Sequence, residues 1–417
     1  MVIGSAALLA GTVSRAEASP NWRVQFTTPS EAQSFEDISF PDIAHGWAVG
    51  QTGTIFVTAN GGTTWAAQSS GTTKELRGVS FPDDTHGWAV GANGVILATT
   101  TGGASWTPQT SPDARLQFFD GVHFVDDAHG WIAGVVNTGV NQDLGEILKT
   151  TDGGSTWTEQ TFATKGSLDR LAFPDATHGW VVGDGGTIMV TSNGGTTWSP
   201  QTSGVLDNTV AVAFPDTTHG WVVGNSGVIL VTSDGGVHWS PQTSGTGEFL
   251  LGVSFPDAHD GWAVGSSGVI LATTDGGVHW APQTSGTTDT LNNVVFPDSN
   301  HGWAVSFGQD ILVFGNGFNP HCDRTVGGAS GGFVVPSSGT TCVTGATVNG
   351  SVIVNGGGAL VIQNSTIHGS VVGSGASMIA LCGDQVDNSV AISGTTGSSC
   401  SAGPAPAAAR ATPSAAP

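Results

Sequence analysis

The 417-residue chain has no tyrosine, three methionines and only ten lysines and arginines, and charged residues of either sign make up 10% of it. So thin a supply of cations excludes a nucleic-acid-binding surface, which needs clustered lysine and arginine to neutralise phosphates. Scarce charge beside 64 glycines argues against an α/β enzyme and for a repetitive, turn-rich β protein with few long helices. Cysteine is nearly absent as well: Cys322, Cys342, Cys382 and Cys400 all lie in the last 100 residues. An even number in a glycine-rich module fits an oxidising compartment, and three pairings are open. The net charge of −22 is partly a product of repetition, because aspartate recurs in two turn motifs.

Residues 2–13 are small and apolar, and Ala16-Glu17-Ala18 follows as a small-x-small cleavage pattern. This is the outline of a secretory signal peptide, though without the usual basic start. Residues 1–19 are therefore expected to be a signal peptide, the protein to be secreted or displayed at the cell surface, and the mature chain to carry no transmembrane anchor.

Beyond it the sequence repeats. His-Gly-Trp or its variant ends at Trp47, Trp88, Trp131, Trp180, Trp221, Trp262 and Trp303, with spacings of 41, 43, 49, 41, 41 and 41. A second motif, T-x-[DN]-G-G-x-x-W or a close variant, ends at Trp65, Trp106, Trp157, Trp198, Trp239 and Trp280. Trp22 supplies the missing seventh partner, so the 14 tryptophans fall two to a repeat. A period near 41 residues holds four short strands, the size of a propeller blade. In the sixth repeat they are expected at 250–255, 261–264, 269–273 and 278–282. The fold class is all-β: a seven-bladed β-propeller over residues 20–317, closed by the N-terminal strand that carries Trp22. Closure removes the sheet edges that invite aggregation.

The strict recurrence of the tryptophans assigns them to packing between blades, each burying ~150–250 Å², and not to sugar stacking. The histidines (His45, His86, His129, His178, His219 and His301) are spread one to a blade, whereas a metal needs several converging ligands. They read as turn residues, and no metal or cofactor is expected.

The combination F-P-D-x-x-H-G-W-[AV]-V-G with T-x-[DN]-G-G-x-x-W, from about residue 21 to 315, resembles the photosystem II stability/assembly factor-like propellers. Its second half is similar to the Asp-box (BNR) repeat shared with sialidases, some xyloglucan-hydrolysing endoglucanases and sortilin-type receptors. The resemblance implies the propeller fold and, for photosynthetic members, a chaperone-like assembly role tied to a basic patch. Sialidase chemistry is set aside, since it uses a tyrosine nucleophile and an arginine triad.

After Phe318 the pattern changes. Thr325-Val326, Thr347-Val348, Thr366-Ile367 and Gln385-Val386 recur at 22, 19 and 19 residues, which reads as a short parallel β-helix over 318–400. The segment resembles small glycine- and asparagine-rich β-helical modules of secreted bacterial proteins. Cys322 with Cys342 and Cys382 with Cys400 are candidate staples across its ends. Residues 401–417 are an Ala/Pro/Ser-rich tail, expected to be disordered.

Function is sought in departures from the repeat, because variable loops on a rigid scaffold carry binding. Lys74, Arg77, Arg115, Lys165 and Arg170 account for five of the seven lysines and arginines between 21 and 315. All are read as lying in connections from one blade's outer strand to the next blade's inner strand. With Phe118 and Phe119 they would form a mixed basic and apolar patch on blades 2 to 4. The reading is a non-catalytic extracytoplasmic scaffold that docks a protein or an anionic surface polymer there. The alternative is a carbohydrate-active hydrolase using Asp113, Asp143, Glu146 or Asp169 as acid and base, recognisable by paired carboxylates with a raised pKa in a groove.

Overall fold

The computed structural model describes residues 22–314, apart from 31–32, 113–115, 138–142 and 161–165, and the strand segments that lie between 324 and 393. The chain divides into two compact units, Met1–Asn316 and Gly317–Pro417.

In the first unit, seven four-stranded antiparallel sheets follow one another. Blade 1 starts at Phe35–Ser39, blade 2 at Leu76–Ser80, blade 3 at Leu116–Phe124 and blade 4 at Leu168–Ala172. Blades 5, 6 and 7 start at Thr209–Ala213, Leu250–Ser254 and Leu291–Asp298. The outer strand of blade 7 is Trp22–Thr27, antiparallel to Asp310–Phe314, so the N-terminal strand closes the ring. The sixth blade's outer strand is Ala281–Gln283, shorter than the expected 278–282. The Asp-box turn occupies the residues before it and leaves Val278 72% exposed.

One contact set explains why the motifs recur. Each His-Gly-Trp tryptophan stacks on the phenylalanine of the next blade's Phe-Pro-Asp or its variant, as in Trp47 on Phe81 at 3.6 Å and Trp221 on Phe255 at 3.6 Å. The series ends with Trp303 on Phe40, which crosses the seam at 3.7 Å. The indole N–H is donated to an Asp-box glycine carbonyl of the following blade, at 3.1 Å from Trp47 to Gly102 and 3.3 Å from Trp303 to Gly61. Trp262 is the exception: its Nε1 is buried without an acceptor. Blade 7 takes its outer strand from the N-terminus and so has no Asp-box to offer one. Glutamines tie the outer strands in the same direction. The Gln242 side chain donates to Gly276 O at 3.0 Å and accepts from Trp280 at 3.0 Å, while Trp22 donates to Gln283 at 2.7 Å.

The histidines belong to turns. Asp83 accepts the backbone N–H groups of Thr85 and His86, each at 2.7 Å, and lies 2.9 Å from His86 Nδ1. These donors hold the Asp83 carboxyl well below the usual range although burial opposes them. Among the described residues no group of three or more His, Cys, Asp or Glu is placed to hold a metal ion, and no helix is long and apolar enough to cross a membrane.

The second unit is built of two parallel sheets, the arrangement of a short parallel β-helix. In one, Ala329–Val335, Thr347–Val354 and the pair Thr366–Ile367 and Val371–Ser374 stack in successive coils. In the other, Arg324–Val326, Thr340–Thr344, Ala359–Gln363 and Met378–Cys382 stack. Val343, Val348, Val352, Leu360 and Ile362 form a fully buried core. One expected register is corrected: Thr325 is level with Cys342, and the residue level with Thr347 is Ala329. A Thr-Val pair fits the inward-outward alternation of either sheet, so the dipeptide does not specify which sheet it joins. Cys342 and Cys382 lie on strands, whereas Cys322 and Cys400, with the signal segment and the tail, fall outside the described residues.

Candidate functional site

Inner strands in the seven blades share a six-residue frame ending in the stacking phenylalanine, and every frame contains a β-bulge. The register slips between Phe35 and Asp37, Leu76 and Gly78, Phe119 and Gly121, and Leu168 and Arg170. It slips likewise between Thr209 and Ala211, Leu250 and Gly252, and Leu291 and Asn293. A bulge leaves one residue unpaired and re-aims its side chain. The seven unpaired residues are Glu36, Arg77, Asp120, Asp169, Val210, Leu251 and Asn292, and all of them line a single cavity of about 410 Å³ at the propeller axis, joined by Glu75, Arg170 and Phe307.

In an up-and-down blade the end where inner strands begin also carries the turns between second and third strands. Leu206, Phe249 and Phe307 lie at that end and are 90%, 52% and 53% exposed. The cavity is therefore two-sided: its lining is charged on blades 1 to 4 and apolar on blades 5 and 6, while blade 7 adds Asn292 and Phe307.

On the charged side, Arg77 Nη1 donates to Asp120 Oδ1 at 2.7 Å and its Nε lies 3.3 Å from Glu75 Oε2. The guanidinium rests 4.0 Å from the centre of the Phe118 ring. Arg170 reaches across the axis to blade 1, where Nη1 donates to Asp37 Oδ2 at 2.9 Å. Asp37 is 3% exposed and accepts from the backbone N–H groups of Ile38 and Val79 at 2.9 and 2.8 Å and from the side-chain amide of Asn293. Asn292 donates to Phe35 O at 2.7 Å and to Glu36 Oε2 at 3.2 Å.

Carboxylates outnumber cations here, and it shows in ionisation. Burial, then the neighbouring Glu75, pushes Glu36 up to about 7, against the pull of Arg77, Arg170 and Gln51. Asp169 is also pushed up to about 7, by burial first and then by Asp120 and Asp184, against Ser167 and Arg170. Deeper in blade 3, burial lowers His123 to about 4 although it bonds the Phe173 carbonyl at 3.0 Å.

The sign of the pH effect follows. Both carboxyls titrate higher in the folded than in the unfolded chain, so their stabilising term is complete below about 4 and disappears as pH rises to about 7 and beyond. His123 works in the opposite direction over part of that window, because the unfolded chain protonates it first. The contrast with a variant isolates the carboxyls. From pH 5 to pH 8 the wild type should lose on the order of 2 kcal/mol more stability than Glu36→Gln/Asp169→Asn, allowing for solvent screening. Thermal melts at the two pH values check this, and parallel curves for both proteins would contradict it.

The expected patch is redistributed. Arg77 and Arg170 line the cavity and Phe118 lies against the Arg77 guanidinium, all as ion-paired or stacked groups on inner strands, not as free loop cations. Lys74 is exposed on the rim. Phe119 is 1% exposed and packs with Trp88, Phe124 and Leu148 in the core between blades 2 and 3. It is the counterpart of Phe35 and Leu76, the buried first residue of each frame. Arg115 and Lys165 lie outside the described residues. Among the alternative carboxylates, Asp169 lines the cavity, Glu146 is buried at 4% exposure opposite Gly134, and Asp113 and the Asp143 side chain are outside the described residues. Reasoning from sequence missed Glu36, Glu75, Asp120, Val210, Leu251, Asn292 and Phe307. The signal was present: aligned frames read FEDISF, LRGVSF, FDGVHF, LDRLAF, TVAVAF, LLGVSF and LNNVVF, and the second position takes six different residue types over the seven blades while the ends hardly change.

Fold and cavity together define a seven-bladed β-propeller with a charged and apolar recess on its axis. The chain belongs to the photosynthesis system II assembly factor YCF48 family, which it matches over residues 14–108, 69–160 and 204–281, more than half its length. Among solved structures, "YCF48 bound to D1 peptide" is 22% identical with a TM-score of 0.59, covering 70% of this chain and 96% of that one. YCF48 from Cyanidioschyzon merolae is 22% identical with a TM-score of 0.58, over 71% and 99%. The GH74 xyloglucanase from Xanthomonas campestris is 13% identical with a TM-score of 0.55, over 70% of this chain and 53% of that one. No curated protein matches the chain.

Proposed function

We propose that the chain is a non-catalytic, extracytoplasmic assembly scaffold that docks a protein partner on the propeller face where the inner strands begin. The observation that carries this is the set of seven bulge residues. In a body that otherwise repeats itself, they are the positions that face a common cavity and differ from blade to blade. A D1 peptide bound to the similar YCF48 supports a protein as the kind of partner. The docking face extends beyond blades 2 to 4, since its apolar half lies on blades 5 to 7. An anionic polymer is not a fitting partner: both arginines at the cavity are engaged by carboxylates, and Glu36 and Asp169 add further acid. The extracytoplasmic setting rests on the Ala16-Glu17-Ala18 pattern and the confined cysteines, and N-terminal sequencing of the protein from the cell-surface fraction tests it.

Val210→Trp places a large side chain in the cavity wall without touching the stacked Trp–Phe pairs. Cross-linked capture from the surface fraction should yield a protein partner with wild type and lose it with this variant, folding being verified by melting temperature. Equal capture by both proteins would remove the cavity face from consideration.

A further inference from the structure

The charge balance of the cavity says more about the partner than the family does. Four carboxylates, Glu36, Glu75, Asp120 and Asp169, share the wall with two guanidiniums. Neither guanidinium is spare: Arg77 is bonded to Asp120 beside Glu75, and Arg170 is bonded to Asp37 on the far side. An incoming anion would meet uncompensated like charge, which costs specificity and affinity. An incoming cation would meet two carboxyls that lack a full-strength counter-ion. A bare metal ion is a poor fit, because among the described residues no three acids are placed to ligate one. The opposite wall, Val210 and Leu251, continues outward to Phe249 and Phe307, exposed by about half. Exposed aromatics beside a recess mark protein contacts, and a cavity of about 410 Å³ lies in the range, ~300–1,000 Å³, that holds small organic groups.

We propose that the cavity receives the lysine or arginine side chain of an amphipathic protein segment, whose adjacent apolar side chain rests on the Val210, Leu251 and Phe249 side of the mouth. This rests on the docking reading above and names the class of segment docked. Entry of a cation favours ionised Glu36 and Asp169, so binding releases protons near neutrality. The groups facing these two set the size of that effect: Glu75, Arg77, Arg170, Gln51 and Asn292 around Glu36, and Asp120, Asp184, Ser167 and Arg170 around Asp169.

Three dye-labelled, end-capped eight-residue peptides test the proposal by fluorescence anisotropy on the full chain. One alternates lysine and leucine, the second replaces lysine by glutamate, and the third replaces leucine by serine. At pH 8 the lysine–leucine peptide should bind at least about tenfold more tightly than either of the others, and its affinity should rise several-fold from pH 6 to pH 8. Glu36→Gln/Asp169→Asn should weaken it about tenfold and abolish the pH dependence. Removing two carboxylates from a chain of net charge −22 would barely alter non-specific attraction, so that loss reports the cavity. The variant removes groups whose ionisation opposes folding at pH 8, and its melting temperature should not fall. Tighter binding of the glutamate peptide, or lysine–leucine binding indifferent to the double variant, would overturn the proposal. If Val210→Trp still abolishes capture of the partner in that case, only the class of segment is wrong. If capture is also unaffected, the docking reading falls with it.

Discussion

Trp221→Ala is expected to destabilise the propeller by about 3–5 kcal/mol, the range for removing a fully buried tryptophan. The side chain is 1% exposed. It stacks on Phe255 of the next blade with ring centroids 3.6 Å apart and planes within 6°, and its indole N–H reaches Gly276 O at 3.0 Å. Truncation leaves a cavity between two blades, a Gly276 carbonyl that loses its indole donor while keeping Gln242, and a phenylalanine with one face bare. The neighbouring repeats cannot close on the gap, because their own Trp–Phe stacks fix the spacing. Trp239→Ala, at the half-buried Asp-box position where the indole bonds Gln201 at 3.0 Å and meets Phe214 edge-on, should cost roughly half as much. Urea unfolding of the two variants checks both figures. A loss below about 1 kcal/mol at Trp221 would mean that the recurring tryptophans are not the blade cement, and their use as ligand platforms would have to be reopened.

The same stacks explain what could be read from the sequence. Blade number, ring closure by Trp22 and the pairing of motifs were legible because each rests on a contact between adjacent repeats, and such a contact stamps the same residues at the same period. The cavity was not legible, for two physical reasons. The bulge adds one residue to each inner strand, so simple alternation does not predict which side chain turns toward the axis. Further, the residues that meet there come from all seven blades, and the Arg170–Asp37 pair spans 133 positions, so no local spacing announces it. Arg77 and Arg170 read as loop cations in the sequence because cations in a poorly charged chain look like surface decoration. They are inner-strand residues whose charges carboxylates already balance. Phe119 was misplaced through its neighbour Phe118: of two adjacent phenylalanines, the frame assigns the second to the core and leaves the first beneath the Arg77 guanidinium.

Among the described residues, the Arg170–Asp37 bridge is the one strong contact that disregards the nearest-neighbour logic of the ring, joining blade 4 directly to blade 1 across the axis. Arg170→Met should cost about 3 kcal/mol, the low end for breaking a buried pair. The low end applies because Asp37 retains three other donors, from Ile38, Val79 and Asn293. Asp37→Asn alone should be comparably damaging, since it strands the arginine among buried groups and gives the Val79 N–H a weaker acceptor. The double variant should recover more than half of the summed loss, because an apolar and amide pair carries no uncompensated charge. Urea denaturation of the two singles and the double measures that coupling, and additive losses would show that the pair is adjacent without being linked. Arg170 also lowers the pKa of both Glu36 and Asp169, so in Arg170→Met both carboxyls should titrate still higher. Carboxyl NMR titration would register the shift. The bridge thus holds two opposite blades together and keeps the acids around it closer to ionisation.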